Sequence, residues 1–368
     1  MNKERLVKEF IEMVKIPSET KKEKDFAIIL EKKLKHLGFE TKFDNSMEKS
    51  GSNTGNLMAR LKGNKAVEPI MFAAHMDTVS PGVGINPVID GNIIKSGGTT
   101  ILAADDKSAI AAFLGAIRDI QENKVEHGVI EVAFTTMEEG GMHGAKNLDY
   151  GFFTSKTAFA LDSGGKPGVV ITKAPAQDKI QVYIKGKASH AGVEPEKGVS
   201  AIIVLAEAIT NMKLLRIDSE TTANIGTISG GTVTNIVAEN CEALFEARSL
   251  HIEKLDIQVN NMIECLKNSC EKHGAELTCN IIKNYPPLNV PDSAHAVQVV
   301  KKAAEGLKWN FKTSSTGGGS DANIFASKGI DVVNLAVGMS NPHSLTEFIE
   351  IEDIVNTAVL ITEIIKTI

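Results

Sequence analysis

The sequence predicts an α/β fold in which a domain with a mainly parallel sheet is interrupted by a smaller α+β sandwich. Helical and strand patterns alternate up to residue 175, as in sheets covered by helices on both faces. From 176 the strands alternate apolar and polar residues, and the first pattern returns after YPPLNVP at 285–291. Since 368 residues exceed the length of one ordinary core, we predict a domain of 1–175 plus 288–368 and an inserted domain of 176–287.

The first part of the chain supplies most of the predicted parallel sheet. Apolar residues at helical spacing predict helices at 3–15 and 20–37 and a third helix from about Lys107. Strands are predicted at 39–44, 56–62, 69–78, 129–135, 157–163 and 168–174. The segment PIMFAAHMDT at 69–78 is strongly apolar, which predicts a strand buried on both faces.

The inserted domain is predicted to contain four strands and two helices. The segment DKIQVYIKGK is typical of a half-exposed strand, further strands are predicted at 223–229, 240–249 and 275–284, and helices at 196–212 and 252–273. YPPLNVP is interpreted as a linker. A helix at 293–306, the loop TGGGS, a strand at 331–337 and a helix at 351–366 then complete the larger domain.

Charge and composition exclude several classes of function. The net charge is −6 and no dense Lys/Arg block occurs beyond KKEK at 21–24, which argues against a nucleic-acid surface. The charged, amphipathic first residues differ from a signal peptide, and no run of about 18 apolar residues follows. We therefore expect a cytoplasmic protein without membrane contact. Its four cysteines lack CxxC spacing, which favours reduced structural thiols.

Acidic residues and histidines follow several predicted strands. His75 and Asp77 end a buried strand at positions i and i+2, so that both side chains can point the same way. Open α/β sheets place their sites at this edge, and a second carboxylate often orients a metal-bound histidine. The alternative is a hydrogen-bonded His–Asp pair with only a structural role at the end of the strand.

Further candidate ligands follow later elements of the chain. Asp105 lies before a helix, where capping is the alternative, and Asp162 ends the strand TAFALDS, where a turn is the alternative. Glu138 and Glu139 directly follow an apolar strand, and His343 lies in a loop where a solvated histidine is the usual finding. Adjacent, partly buried carboxylates repel each other unless a cation, proton sharing or hydrogen bonds offset the repulsion.

Together these residues predict a metal site. Imidazole with carboxylate suits zinc, and cobalt or manganese can take the same ligands. The adjacent glutamates then have separate roles, because one can bind metal while the other accepts a proton from metal-activated water.

At these positions the sequence resembles the dizinc exopeptidase and amidohydrolase family of peptidase T, carboxypeptidase G and aminoacylase. The resemblance rests on AHMDTV, AADDKSAIA, TMEEGGMHGA, ALDSG, KGKASHAGVEP, GGTVTNIVAENCEALFEAR and GGGSDANIF, which occur in the order found in the family. It implies a zinc-exopeptidase-like three-layer catalytic domain and a lid or dimerisation domain. The inserted domain would then be the surface of a homodimer, or a lid that closes within a monomer.

The resemblance also implies roles for individual residues. The implied ligands of two zinc ions are His75 and Asp162 for the first, Glu139 and His343 for the second, and Asp105 for both. Asp77 would orient His75, and Glu138 would be the general base.

The remaining implied residues would contact a short peptide substrate. His190 would polarise the scissile carbonyl, and Asn235 and Arg248 would bind the substrate backbone or carboxylate. Gly317, Gly318 and Gly319 would let the substrate approach the backbone. The alternatives are a solvated turn histidine, a surface ion pair of Arg248 and a flexible glycine loop.

These roles predict a metal-dependent hydrolase that releases the N-terminal residue of tripeptides or similar short peptides. An N-acyl amino acid amidohydrolase or a carboxypeptidase-like hydrolase with the same metals is the alternative enzyme. A zinc-binding protein without catalysis is the alternative from another class, but it would need neither Glu138 nor His190.

Overall fold

The computed structural model describes residues 1–368, which form two compact units. Unit 1 contains Met1–Thr172, Val290–Ser315 and Ser320–Ile368, and unit 2 contains Lys173–Asn289 and Thr316–Gly319. The domain boundaries proposed from the sequence lie within a few residues of the breaks near 172 and 289. Nothing in the sequence predicted that residues 316–319 belong to unit 2.

The elements up to residue 174 belong mainly to unit 1. They are α1 (Lys3–Val14), α2 (Lys24–His36), β1 (Glu40–Phe43), α3 (Met47–Ser50), β2 (Leu57–Leu61), β3 (Ile70–His75), β4 (Val88–Asp90), β5 (Ile93–Lys95), α4 (Ala104–Glu122), β6 (Ile130–Thr135), α5 (His143–Lys146), β7 (Thr157–Ser163) and β8 (Val169–Ala174).

The rest of the chain completes both units. Unit 2 contains β9 (Ala176–Lys185), α6 (Ala201–Asn211), β10 (Leu215–Arg216), β11 (Thr221–Gly230), β12 (Asn240–Ser249), α7 (Ile252–His273), β13 (Glu276–Tyr285) and β14 (Leu288–Asn289). Unit 1 continues with α8 (His295–Gly306), β15 (Lys312–Ser315), α9 (Asp321–Ser327), β16 (Asp331–Ala336), β17 (Met339–Ser340), β18 (Phe348–Glu350) and α10 (Ile351–Thr367).

The central sheet of unit 1 has the strand order β1-β2-β6-β3-β7-β16-β8. Its middle is parallel, with β3 between β6 and β7 and with β16 beside β7, whereas the pairs toward both edges are antiparallel. Parallel strands end at one edge of the sheet, so that the residues after β3, β6 and β7 share that edge. This arrangement confirms the predicted α/β fold.

An aromatic cluster holds α4 against the middle of this sheet. The ring centroids of Phe72 and Phe113 lie 5.6 Å apart, those of Phe72 and Phe159 5.5 Å, and those of Phe113 and Phe134 5.8 Å. The four rings are buried and come from β3, α4, β7 and β6. Replacing one such ring by alanine costs about 3–5 kcal/mol, so this packing strongly fixes the position of α4 relative to the strands.

Unit 2 is a five-stranded antiparallel sheet with two helices. Its strand order is β10-β11-β12-β9-β13. In β9, Ile180, Val182 and Ile184 are buried while Lys179 and Gln181 are exposed, which is the alternation predicted for a half-exposed strand. The buried residues of β9 pack with residues of α6 and α7 in one apolar cluster.

Several short elements lacked a clear sequence signal. A four-stranded sheet of order β17-β18-β5-β4 contains strands of two or three residues, too short for a periodic pattern. Helix α9 was missed, although Ser320 and Asn323 form a capping box at its start. The interpretation of 285–291 as a simple linker was wrong in part, because Leu288 and Asn289 pair with the end of β8. None of the helices is long and apolar enough to cross a bilayer.

Candidate metal centre

Five segments of unit 1 bring the candidate ligands together. His75 ends β3, Asp162 is the penultimate residue of β7, and Glu139 lies just after β6. Asp105 stands in the first turn of α4, where its backbone is not helical (φ −80°, ψ 104°) and its peptide bond to Asp106 is cis. His343 lies in the loop between β17 and β18.

The first ligand group consists of His75, Asp105 and Asp162. The Nε2 atom of His75 lies 2.9 Å from Oδ1 of Asp105 and 3.9 Å from Oδ1 of Asp162. All three ligand atoms lie within 4.8 Å of one another, a spacing at which one ion can contact all three.

The second ligand group consists of Asp105, Glu139 and His343. The Nε2 atom of His343 lies 2.8 Å from Oε1 of Glu139 and 3.3 Å from Oδ2 of Asp105. Asp105 belongs to both groups, and its two oxygens face different histidines. The structure therefore gathers all five predicted ligands into two groups that share one carboxylate, which is the arrangement a bridging ligand requires.

Asp77 organises the segment after β6. Its Oδ1 accepts a hydrogen bond from the Glu138 amide at 2.9 Å, and its Oδ2 accepts one from the Glu139 amide at 3.2 Å. The Nδ1 atom of His75 lies 2.8 Å from the backbone oxygen of Asp77 and 3.6 Å from its Oδ1. Asp77 thus contacts the predicted ligand His75 and fixes the backbone of both glutamates.

Glu138 is buried beside the ligands but belongs to neither group. Burial raises the pKa of its carboxyl well above the usual range, and repulsion from Asp162 raises it further. A carboxyl with a raised pKa that binds no cation is suited to accept and return a proton.

The charges of the two groups fit multivalent cations. Burial and repulsion from Asp105 raise the pKa of Asp162, and burial raises the pKa of Glu139. Burial alone would lower the pKa of His75, but Asp105 and Asp77 outweigh it and raise that pKa. Hydrogen bonds to Asp105 and Glu139 raise the pKa of His343 to about 10. This excess of negative charge favours cations, and the imidazole and carboxylate donors suit zinc, cobalt or manganese.

The predicted substrate residues lie in unit 2. A backbone hydrogen bond joins the segments around His190 and Asn235: the Ala191 amide donates to the backbone oxygen of Asn235 at 3.0 Å. Both side chains are exposed, and Nδ1 of His190 accepts a hydrogen bond from the Gly192 amide at 3.1 Å. The structure therefore groups these two residues on one surface of unit 2.

Arg248 and the glycine run have defined neighbours within the same unit. Arg248 forms two hydrogen bonds with Glu246, from Nε to Oε1 at 2.9 Å and from Nη2 to Oε2 at 3.1 Å. A Cβ atom on Gly319 would lie 2.3 Å from Cε2 of Tyr285, whereas one on Gly317 or Gly318 would meet no atom within 4 Å. Packing against Tyr285 therefore requires glycine at 319, and open space surrounds the other two.

Comparison with known proteins places the chain in a family. The profile of Peptidase family M20/M25/M40 matches residues 71–367. The chain belongs to this family. Its activity is therefore peptide hydrolysis. The resemblance to dizinc peptidases of the peptidase T type, predicted from the sequence, is confirmed.

Solved structures and curated relatives agree with this assignment. The M20 chain is 46% identical to an aminopeptidase PepT from Bacillus cereus ATCC 10987, with a TM-score of 0.90 and coverage of 100% of this chain and 99% of the other. It is 35% identical to a tripeptidase from Staphylococcus aureus Mu50, with a TM-score of 0.95 and coverage of 100% and 98%. Peptidase T from Fusobacterium nucleatum is 26% identical over 95% of this chain and 92% of its own length.

The sequence did not reveal the role of Asn334, which holds the backbone of the candidate ligand Asp162. Asn334 in β16 accepts a hydrogen bond from the Asp162 amide at 2.9 Å and donates to the Asp162 backbone oxygen at 2.6 Å. Its Nδ2 also lies 3.1 Å from Oγ of Ser320. One polar residue inside the apolar strand DVVNLAVG was the available signal.

Proposed function

We propose that this M20 peptidase is a metal-dependent aminopeptidase that releases the N-terminal residue of short peptides, with tripeptides as the preferred substrates. Two relatives match nearly the whole chain, and one is an aminopeptidase and the other a tripeptidase, which supports this specificity. The N-acyl and carboxypeptidase-like reactions are outcomes that the experiment below distinguishes.

The observation that carries the proposal is the separation of two adjacent glutamates. Glu139 contacts His343 and belongs to a ligand group, whereas Glu138 belongs to none and keeps its carboxylate for proton transfer. Asp77 binds both backbone amides, which fixes the backbone of the two residues. A protein that only stored metal would have no use for the second buried carboxyl.

Two Zn²⁺ ions are the proposed cofactors, with Co²⁺ or Mn²⁺ as substitutes. His75, Asp105 and Asp162 would hold one, and Asp105, Glu139 and His343 the other. When bound, such ions lower the pKa of water toward neutrality and polarise the substrate carbonyl.

The side chains of the protein then carry the remaining steps. Glu138 accepts the proton of the attacking water and returns it to the leaving amine. His190 donates a hydrogen bond to the oxygen of the scissile carbonyl, on which negative charge develops. Asn235, Arg248 and the backbone of Gly317–Gly319 bind the peptide, with the Arg248 guanidinium directed to a carboxylate.

The experiment that tests this function measures release of free amino acids from di-, tri-, tetra- and N-acylated peptides. The chelator-treated protein is reconstituted with zinc, cobalt or manganese before each assay. We expect N-terminal release to peak at tripeptides and to disappear without metal. Cleavage of acylated or C-terminal residues would assign the alternative reaction, and no cleavage with two bound metals would refute peptide hydrolysis.

We also propose that unit 2 mediates a homodimer. An open groove of about 830 Å³ in this unit is lined partly by exposed apolar side chains, among them Ile202, Ile203 and Val233. We expect Ile203→Glu to halve the mass measured by light scattering, and Ile257→Glu, at an exposed position outside the groove, to leave it unchanged. A wild-type monomer would refute the dimer.

A further inference from the structure

Glu347 is a buried carboxylate without an assigned role. Only 1% of its surface is exposed. Its Oε2 accepts hydrogen bonds from the amides of Leu102 at 2.7 Å and Ala103 at 2.9 Å. Its Oε1 accepts a third from the amide of Asp105 at 3.1 Å.

The segment 102–105 needs such an acceptor. Ala103 has a left-handed backbone (φ 64°) and Asp105 is not helical, so these buried amides cannot join the hydrogen-bond ladder of α4. A buried amide without a partner costs about 1–3 kcal/mol, and a carboxylate also suits the positive end of a helix dipole. Glu347 therefore stabilises the backbone conformation that presents Asp105 to both histidines.

The same residue anchors the loop that carries His343. Residues 341–346 are mostly exposed. Apart from the contacts of His343 with Asp105 and Glu139, their side-chain hydrogen bonds are local, as from Ser344 Oγ to the backbone oxygen of Asn341 at 2.8 Å. Glu347 ends this loop in the interior, where its backbone oxygen accepts a hydrogen bond from the Ser96 amide at 2.9 Å. One residue thus joins the loop of His343 to the segment of Asp105.

We propose that Glu347 is a positioning residue that fixes Asp105 and His343 relative to each other and thereby sets the affinity of the second metal. This inference rests on the proposed dimetal function. Asp105 belongs to both groups, but in the first group it also contacts His75 on β3, and Asn334 holds the backbone of Asp162. The second group depends on the His343 loop. Loss of the Glu347 contacts therefore weakens the second site more than the first.

The test is Glu347→Gln, which keeps the shape of the side chain. Glutamine has only one side-chain oxygen, so it cannot accept hydrogen bonds from Leu102 and Ala103 on one side and from Asp105 on the other. Its NH₂ group then faces a backbone N–H, which leaves that donor without an acceptor. We expect about 10–100-fold weaker zinc binding at the second site, with the first site unchanged. Competitive titration with a chromogenic chelator measures both affinities without peptide. Activity at limiting zinc should fall and recover with excess zinc, a rescue that a folding defect does not give.

The matched control is Glu352→Gln, which removes the same charge from a largely exposed side chain paired only with Lys3 at 3.4 Å. Its two zinc affinities should equal those of the wild type. If Glu347→Gln does not fold, the same zinc titration is carried out on Glu347→Asp. This variant keeps the negative charge but has a side chain too short to contact both backbone segments. Equal losses at both sites, or no loss at either, would overturn the proposal. A wild type that binds two zinc ions but cleaves no peptide would refute only the proposed function.

Discussion

The ligand groups of unit 1 and the candidate substrate residues of unit 2 differ in how they are held. His75, Asp77 and Glu138 are buried. His75 forms hydrogen bonds with Asp105 and with the backbone oxygen of Asp77, and Asp77 accepts one from the Glu138 amide. His190 and Asn235 are exposed, and the His190 side chain has a single local hydrogen bond. His75 and Asp77 are therefore pre-organised by the fold of unit 1, whereas the candidate substrate residues His190 and Asn235 of unit 2 are left open to solvent.

This difference indicates how the two regions respond to substitution. Buried ionisable groups are costly unless a partner balances them, so we expect changes at the candidate ligands of unit 1 to act on metal binding and on the proposed chemical step. Exposed groups can change without loss of the fold, so we expect changes at His190, Asn235 or Arg248 to leave unit 2 folded and to act on how a substrate is bound or polarised.

Glu138→Gln gives the largest expected effect. Glutamine cannot accept a proton, so we expect kcat to fall by about 10²–10⁴-fold while two metals remain bound. Turnover and metal content by mass spectrometry measure the two quantities. Glu126→Gln, an exposed change in unit 1, is the control and should leave both unchanged. Full activity of Glu138→Gln would assign the proton transfer to another group.

His190→Ala tests whether unit 2 takes part in the chemical step. Loss of one donor to the developing oxyanion lowers kcat by about 10²–10³-fold, with metal content unchanged. His251→Ala, at an exposed histidine of the same unit, should keep wild-type turnover. An effect of His190→Ala on KM alone would contradict the proposed role in stabilising the oxyanion.

Arg248→Gln separates substrate recognition from the local ion pair with Glu246. A hydrogen bond to a charged group contributes about 1.5–3 kcal/mol, so kcat/KM for peptides with a free C terminus should fall by about 10–100-fold. Peptides with an amidated C terminus should be much less affected. Arg216→Gln on an exposed strand is the control. An equal loss of kcat/KM for both peptide types would mean that Arg248 does not contact the C-terminal carboxylate.

Gly319→Ala is expected to act on stability. The added methyl group meets the ring of Tyr285, and overpacking of this kind costs about 1–3 kcal/mol. Gly317→Ala meets no atom within 4 Å and should leave the free energy of unfolding nearly unchanged. Urea-induced unfolding of both variants gives the comparison, and equal midpoints would contradict it.

Long periodic elements of the fold were predictable from the sequence. The predicted strands at 157–163 and 240–249 and the predicted helix at 252–273 match β7, β12 and α7. Elements of two or three residues, such as β5 and β17, were not predicted because they are stabilised by their neighbours in the sheet and contain too few residues for a pattern.

The sequence by itself determined which residues are candidates for the chemistry. The residue types at 75, 105, 139, 162 and 343, and their positions after predicted strands, were enough to propose a metal site. The family resemblance implied how these ligands are divided. Only the tertiary structure decided that Asp105 lies close to both histidines, because this depends on distances between side chains far apart in sequence. It also decided the roles of Asn334 and Glu347. Their hydrogen bonds join β16 to β7 and the loop before β18 to the start of α4, and only folding brings such segments together.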